Sequence, residues 1–223
     1  MSENSWPKGL RVILLGPPGS GKGTQSVGLA EELGVPHIAT GDLFRTEMSE
    51  KTELGILAES FIAYGNLVPD DIVNRIMAER LGRDDAGGFV LDGYPRTLPQ
   101  AESLEGVLEG LERPVQAAIN IDVPDDLIVE RAVGRLVCPD CGAIFHLTSK
   151  PPRTMGVCDV CRGQLQVRKD DQPSTVRHRL GVYHRITAPV LKFYESRDLL
   201  RVVDGTQSRD EVGKKVRAAL RAL

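Results

Sequence analysis

Residues 16–24 constrain this chain more than any other part of the sequence. They read Gly-Pro-Pro-Gly-Ser-Gly-Lys-Gly-Thr, follow an apolar run over residues 10–15 and precede a segment of helical periodicity. Glycines let consecutive backbone N–H groups point into one concavity, and a helix N-terminus adds partial positive charge there. The order of strand, loop and helix therefore predicts a phosphate-binding loop in which Lys22 supplies a full charge. A glycine-rich turn without a ligand is the alternative.

The residue after the loop lysine departs from the usual pattern. Gly23 stands where Ser or Thr often ligates Mg²⁺, so the nearest hydroxyl is displaced to Thr24. Asp92 closes the apolar run over residues 88–91, at a position where a carboxylate commonly orients magnesium or its waters. Mg²⁺ holds on through phosphates and one or two carboxylates. We therefore expect Asp92 to act on magnesium through water, and an Asx-turn before Gly93 is the alternative.

Apolar runs that suit buried strands alternate with helical segments along the whole chain. The runs cover residues 10–15, 37–39, 88–91, 117–121 and 199–203. Five such strands predict an α/β fold, with a five-stranded parallel sheet that carries helices on both faces. Because ligands bind at the carboxyl ends of strands in such sheets, the phosphate loop, Thr40 and Asp92 are expected on one rim.

Local signals predict several helix ends. Thr97 and Gln100 form a capping-box pattern, so a helix begins there, and Gln100 could serve only as a cap. A further helix is predicted over residues 124–135. Residues 172–196 are helical in pattern, and Pro189 predicts a kink or break within them.

The four cysteines form two Cys-x2-Cys pairs with 16 residues between them, Cys138 with Cys141 and Cys158 with Cys161. In a chain without an export signal, this spacing indicates a tetrahedral zinc site rather than disulfides. A redox dithiol pair is the alternative, and four thiolates also accept iron. A segment of about 30 residues has too small a core to fold alone, so zinc is expected to have a structural role and to stabilise the fold of this segment.

Charge and composition limit the partners. Lys and Arg total 28 against 31 Asp and Glu, a net charge of −3, which disfavours broad electrostatic binding to nucleic acid or anionic lipid. The N-terminal residues have neither a basic start nor an apolar centre, and no apolar run approaches the roughly 20 residues that cross a bilayer. We therefore expect a cytoplasmic protein without nucleic-acid or membrane partners. A monomer is also expected, although charge and composition do not determine the oligomeric state.

Arginines stand at several predicted loop or helix ends beside motif-like residues. Phosphoryl transfer depends on positioning two reactants in line and on compensating the negative charge of the transferred group. Arginine is suited to compensating that charge. The candidates are Arg45, Arg96, Arg131, Arg135, Arg168 and Arg179. Each alone is more often a solvated surface charge. Arg96 is the strongest local candidate because it follows a Gly-Tyr-Pro turn at the end of a strand.

Taken together, these motifs closely resemble the adenylate kinase family in its long form, which has a zinc-bearing lid. The resemblance rests on the phosphate loop, Thr-Gly-Asp-Leu-Phe-Arg at 40–45, Leu-Asp-Gly-Tyr-Pro-Arg-Thr at 91–97, Gln100, Arg131, Val-Gly-Arg at 133–135, the four cysteines, Arg168-Lys-Asp-Asp and Arg179. It covers about residues 10–222. It implies reversible transfer from MgATP to AMP that gives two ADP, with Mg²⁺ bound to ATP and structural Zn²⁺ in the lid.

The resemblance also implies a role for each candidate residue. The loop residues that would hold the ATP phosphates are Gly19, Ser20, Gly21, Lys22, Gly23 and Thr24, with Arg131 and Arg135 beside them. The residues that would hold AMP are Thr40, Arg45, Arg96, Gln100, Arg168 and Arg179, of which Gln100 would meet the base. The catalytic set would be Lys22, Arg96, Arg131, Arg168 and Arg179. Asp92 would order the waters of magnesium, and Asp170 and Asp171 would help lock the lid.

The same resemblance divides the chain into three parts. The core would comprise residues 1–39, 69–131 and 170–223, the AMP-binding insert residues 40–68, and the zinc-binding lid residues 132–169. A nucleoside monophosphate kinase for another base, or with GTP as donor, is the alternative enzyme. A zinc-ribbon nucleic-acid module is the alternative from another class, and the net negative charge argues against it.

Overall fold

The computed structural model describes residues 6–7, 9–167 and 171–222, so the predicted roles of Arg168 and Asp170 lie outside the described residues. The strands are β1 (Arg11–Leu15), β2 (His37–Ala39), β3 (Phe89–Asp92), β4 (Ala117–Asp122), β5 (Arg135–Val137), β6 (Ile144–His146) and β7 (Leu200–Asp204). Five of them form one parallel sheet in the order β2-β3-β1-β4-β7. The predicted fold class is confirmed.

Helices connect the strands and cover the sheet. They are α1 (Lys22–Leu33), α2 (Thr40–Glu50), α3 (Glu53–Ile62), α4 (Asp70–Leu81), α5 (Leu98–Gly110), α6 (Asp125–Val133), α7 (Pro173–Val182), α8 (Ala188–Glu195) and α9 (Arg209–Arg221). None of the described helices combines the length and the apolar composition that a membrane span requires.

The central strand β1 shows why the sheet is buried on both sides. Val12 and Leu14 pack with residues of α1, α6, α7 and α9, while Ile13 and Leu15 pack with residues of α4, α5 and α8. Successive side chains of a strand point to opposite faces, so an uninterrupted apolar run is what a strand between two helical layers requires. The carboxyl ends of the parallel strands are thereby left as the open rim where ligands bind in such sheets.

Two helix predictions have different outcomes. The break near Pro189 is confirmed, because a π-helical turn, Tyr183–Thr187, separates α7 from α8. The helix predicted over residues 124–135 is wrong at its end: α6 ends at Val133 and Arg135 begins β5. Leu136 is buried in a separate small core with Phe145, and β5 pairs antiparallel with β6. This tertiary pairing outweighs the helical pattern of the sequence.

Candidate active site

The phosphate loop joins β1 to α1, as the sequence predicts. Gly16 has φ +140°, and a Cβ there would lie 2.6 Å from the carbonyl oxygen of Ile121, so the close approach to β4 requires glycine. The N–H of Ser20 donates to the carbonyl of Pro17 at 3.2 Å, and Gly21 forms the N-cap of α1. The loop therefore presents the N-terminus of a 12-residue helix to the open rim of the sheet.

Lys22 lies in a strongly positive environment. Its Nζ donates to the carbonyl of Pro17 at 3.2 Å. The pKa of Lys22 is lowered to about 8, chiefly by burial and also by the charges of Arg96, Arg179 and Arg135, while the charge of Asp92 opposes the shift. Three arginines and a lysine converge on one loop, so the site is suited to a ligand that carries several negative charges.

Asp92, at the end of β3, faces the loop from the neighbouring strand. A Cβ at Gly23 would lie 3.1 Å from Asp92 Oδ2, so the glycine leaves space beside the carboxylate. Burial alone would raise the pKa of Asp92, but the neighbouring His37 and the charges of Lys22 and Arg96 outweigh it and lower the pKa. The carboxylate is therefore ionised at neutral pH, and an oxygen donor beside open space fits the chemistry of Mg²⁺.

Sequence reasoning missed two residues that support Asp92. Ser26 Oγ lies 3.0 Å from His37 Nε2 and 3.4 Å from Asp92 Oδ2. His37 begins β2, and its Nε2 is 3.9 Å from the same carboxylate oxygen. No sequence motif points to Ser26 or His37, because they meet Asp92 only through the packing of α1, β2 and β3. Thr24, by contrast, borders a groove between α1 and α9 with Gln25 and Arg209.

A cavity of about 420 Å³ adjoins the phosphate loop. Among the residues that line it are the predicted site residues Thr40, Arg45, Arg96, Gln100 and Arg179. A smaller groove beside the loop is lined by Gly16, Pro18 and Lys22, among others. Five residues line both spaces: Gly65, Leu67, Gly93, Arg96 and Arg179. The two spaces therefore meet at two arginine side chains.

The side of the cavity nearest β3 is built around the carbonyl of Gly93. Thr40 Oγ1 donates to this carbonyl at 2.9 Å, and Arg96 Nε donates to it at 2.6 Å. Thr40 is buried at the first residue of α2, five residues before Arg45. Arg45 pairs with Asp42 and is half-exposed at the edge of the cavity. Thr40 and Asp92, at the ends of β2 and β3, thus lie on one rim with the phosphate loop, as predicted.

Gln100 is buried in the first turn of α5. Thr97 Oγ1 accepts the N–H of Gln100 at 3.2 Å, which confirms the predicted helix start. The Gln100 side chain does not complete a capping box. Its Oε1 accepts the backbone N–H of Arg96 at 2.7 Å, and its Nε2 donates to Asp70 Oδ1 at 2.7 Å. Gln100 also lines the cavity.

Two further arginines lie where α6 leads into the hairpin of β5 and β6. Arg131 Nη2 donates to the carbonyl of Thr206 at 3.2 Å, and partial burial lowers the pKa of its guanidinium. Arg135 makes two parallel hydrogen bonds to the buried carboxylate of Asp171, of which the one from Nε measures 2.8 Å. This bidentate pair ties the beginning of the hairpin segment to the chain that leads into α7.

The four cysteines come together as the spacing predicts. Their Sγ atoms all lie within 4.8 Å of one another, with 3.3 Å between Cys138 and Cys161 and 3.6 Å between Cys141 and Cys158. A tetrahedral metal with Zn–S bonds of about 2.3 Å sets its sulfurs about 3.8 Å apart. The N–H groups of Gly142 and Arg162 donate to the carbonyls of Cys138 and Cys158, so both Cys-x2-Cys turns have the same shape. The cluster could therefore hold a metal ion.

The parallel sheet, the phosphate loop and the adjoining cavity with its shared arginines define a nucleotide phosphotransferase of the P-loop class. The family model described as adenylate kinase matches residues 14–199. The chain is 52% identical to the adenylate kinase of Symbiobacterium thermophilum, over 96% of this chain and 99% of that protein. It is 50% identical to the adenylate kinase of Clostridium novyi, over 91% of this chain and 94% of that protein. It is 46% identical to the adenylate kinase of Clostridium tetani, over 96% of this chain and 100% of that protein. The chain belongs to the adenylate kinase family.

Proposed function

We propose that the protein catalyses reversible transfer of a phosphoryl group from MgATP to AMP, giving two ADP. The observation that carries this proposal is that Arg96 and Arg179 line both the groove at Lys22 and the 420 Å³ cavity. A phosphoryl group that moves from a nucleotide on the loop to a nucleotide in the cavity passes between these guanidinium groups. Positioning two reactants in line contributes roughly 7–11 kcal/mol toward the barrier, and the arginines compensate the charge of the moving group.

The phosphate loop is the proposed ATP side. The backbone N–H groups of residues 19–24 and the Lys22 ammonium hold the phosphates, because they combine a helix N-terminus with a full charge. Arg131, near the end of α6, and Arg135, at the start of β5, add positive charge for these phosphates, and the charge of Arg135 already acts on Lys22. Arg135 already carries its carboxylate partner Asp171, so its guanidinium is oriented before any nucleotide binds.

Nucleotide binding on this side is expected to take up a proton at alkaline pH. The pKa of Lys22 in the free protein is about 8, and phosphate oxygens beside the ammonium raise it. At pH 8.5, binding of MgATP therefore takes up most of one proton. Above about pH 8, the Kd for MgATP increases with pH, and the increase approaches tenfold per pH unit. Calorimetry in two buffers of different ionisation enthalpy measures the uptake, with Lys22→Met as the control that abolishes it. Equal binding enthalpies in both buffers would contradict this assignment.

The cavity is the proposed AMP side. Arg45, Arg96 and Arg179 hold the phosphate of AMP, together with Arg168, which lies outside the described residues. Thr40 and Gln100 complete the site, and Gln100 meets the base. The cavity has the volume of a site for one small ligand and is lined largely by apolar side chains with a few convergent polar groups.

Two metals are proposed from the donor chemistry. Asp92 fits Mg²⁺ through water, because its ionised carboxylate borders the space that Gly23 leaves open. When bound with ATP, Mg²⁺ supplies charge compensation on the phosphates. Four convergent thiols fit Zn²⁺ in a structural role, since four protein ligands fill its tetrahedral coordination.

The proposed division into core, AMP-binding insert and lid follows the residues that surround the cavity. Helices α2 and α3 of residues 40–68 border it, and so do Val137 and Gln166 of residues 132–169. Closure of both inserts excludes water, which competes with AMP as acceptor, and brings the arginines together. We further propose that the protein works in the cytoplasm as a monomer, without nucleic-acid or membrane partners.

A panel of nucleotides with Mg²⁺ tests this function. We expect ADP to form from ATP and AMP faster than any diphosphate forms from CMP, UMP or GMP. Parallel reactions with GTP in place of ATP determine the donor, and reactions without an acceptor give the background hydrolysis. Absence of ADP formation, or a clear preference for another monophosphate, would refute the assignment.

A further inference from the structure

We propose that Asp70 determines the preference for AMP over 6-oxopurine monophosphates, because it fixes the orientation of the Gln100 side-chain amide. This inference rests on the proposed function, since it assumes that Gln100 meets the base of AMP. Gln100 lines the cavity, whereas Asp70 is not among the described residues that line it. Asp70 is therefore a positioning residue that acts through Gln100.

Two neighbours of opposite chemistry hold the Gln100 amide. On one side, Nε2 donates to Asp70 Oδ1 at 2.7 Å. On the other, Oε1 accepts the backbone N–H of Arg96 at 2.7 Å. An ionised carboxylate only accepts hydrogen bonds and a backbone N–H only donates them. The amide therefore has one orientation that satisfies both neighbours, and the flipped amide satisfies neither.

Asp70 is itself held in place. Its second carboxylate oxygen, Oδ2, accepts the hydroxyl of Thr97 at 2.8 Å. The same Thr97 oxygen accepts the N–H of Gln100 as the N-cap of α5. Asp70 is also the first residue of α4, where the helix N-terminus stabilises a negative charge. The carboxylate thus links the beginnings of two helices and has one geometry toward Gln100.

The remaining hydrogen-bonding capacity of Gln100 faces a base. A primary amide has two N–H donors and two acceptor lone pairs, so one donor and one acceptor remain after the contacts to Asp70 and Arg96. Adenine offers the N1 acceptor and the N6 amino donor on its pairing edge. Hypoxanthine and guanine offer the N1–H donor and the O6 acceptor instead. A fixed amide can match only one of these edges, whereas an amide that rotates can match either.

The test compares AMP with IMP as acceptors at saturating MgATP, because the two differ only at the base edge. In Asp70→Asn, the side chain at position 70 can accept or donate, so the flipped amide loses one of its two mismatches and the preference for a single orientation weakens. We expect the ratio of kcat/KM for AMP to that for IMP to fall about tenfold or more, as loss of one bidentate base contact predicts. The change should appear in KM for AMP, with kcat and KM for ATP within about twofold of the wild type.

Asp71→Asn is the matched control, since Asp71 is the exposed neighbour in the same first turn of α4. It removes the same charge from the helix N-terminus and should leave the ratio unchanged. If Asp70→Asn is poorly folded, Thr97→Val releases Asp70 indirectly and Thr97→Ser restores the hydroxyl, so the ratio should fall in the first variant and recover in the second.

An unchanged ratio in folded Asp70→Asn, or an equal fall in Asp71→Asn, would overturn the inference. A general loss of stability would lower the rates with AMP and IMP together and leave their ratio intact. If the wild type forms no ADP from AMP, the proposed function fails instead. The two failures are therefore distinguishable in the same set of assays.

Discussion

Replacement of Lys22 by methionine is expected to lower kcat/KM by roughly 10²–10³-fold and to leave the fold intact. Lys22 supplies a preorganised full charge beside the phosphate loop, and methionine keeps the volume of the side chain while removing that charge. Steady-state kinetics with both substrates measures the loss, and circular dichroism reports on the fold.

The same substitution should not destabilise the protein. The pKa of Lys22 is about 8 in the folded chain against an ordinary value of 10.5, so the charged form is less favourable after folding. This charge therefore lowers the free energy of unfolding below about pH 8, and its effect fades as the pH rises toward 10.5. We expect the Tm of Lys22→Met at pH 7 to equal or exceed that of the wild type.

Lys192→Met on α8 serves as the control, because it removes an exposed lysine from a helix outside the loop. Its turnover should match the wild type. Unchanged turnover in Lys22→Met would refute the role of the loop lysine, and a large fall in its Tm would show that the loss of activity comes from the fold.

Replacement of Cys161 by serine is expected to lower the metal content and to reduce the Tm by roughly 5–10 °C. The small core beside the cluster consists of a few buried residues, including Leu136, Phe145 and Leu165. Such a core stabilises the segment only weakly, so the metal contributes much of its folding free energy. Weak activity should persist at low temperature, since the phosphate loop and cavity belong mainly to other elements.

Val160→Ser is the control for this prediction. Val160 is exposed in the same turn, and only its backbone N–H approaches the cluster, at 3.4 Å from Cys158 Sγ. Mass spectrometry of the native protein gives both the stoichiometry and the identity of the metal, which separates zinc from iron. Unaltered metal content in Cys161→Ser would rule out a site of four thiolates.

Strands, helices and the motifs at their ends could be predicted from local sequence. The run over residues 10–15 has the pattern of a strand that is covered on both faces, and β1 is such a strand. Thr97 and Gln100 are three residues apart, so their capping contact depends only on helix geometry. The cysteine spacing likewise brings four thiols together through two short turns of the same shape. In each case the information lies within a few residues or in a fixed spacing.

Tertiary structure alone decided the contacts between residues far apart in sequence. Ser26, His37 and Asp92 meet because β2, β3 and α1 converge at one rim, although 66 residues separate Ser26 from Asp92. Asp70 reaches Gln100 across 30 residues, and Arg135 reaches Asp171 across 36. Hydrogen bonds of this kind depend on side-chain directions set by packing, which no local pattern encodes.

The phosphate loop has some properties that local sequence predicts and others that only tertiary packing decides. Its glycines and Lys22 were evident from sequence because a loop that presents backbone N–H groups to phosphate requires those residue types in that order. The lowered pKa of Lys22 was not evident from sequence. It arises from burial and from three arginines that other segments of the chain bring to the loop. The sequence determined that this chain carries a phosphate site, and the packing of distant segments decided its electrostatics and its neighbours.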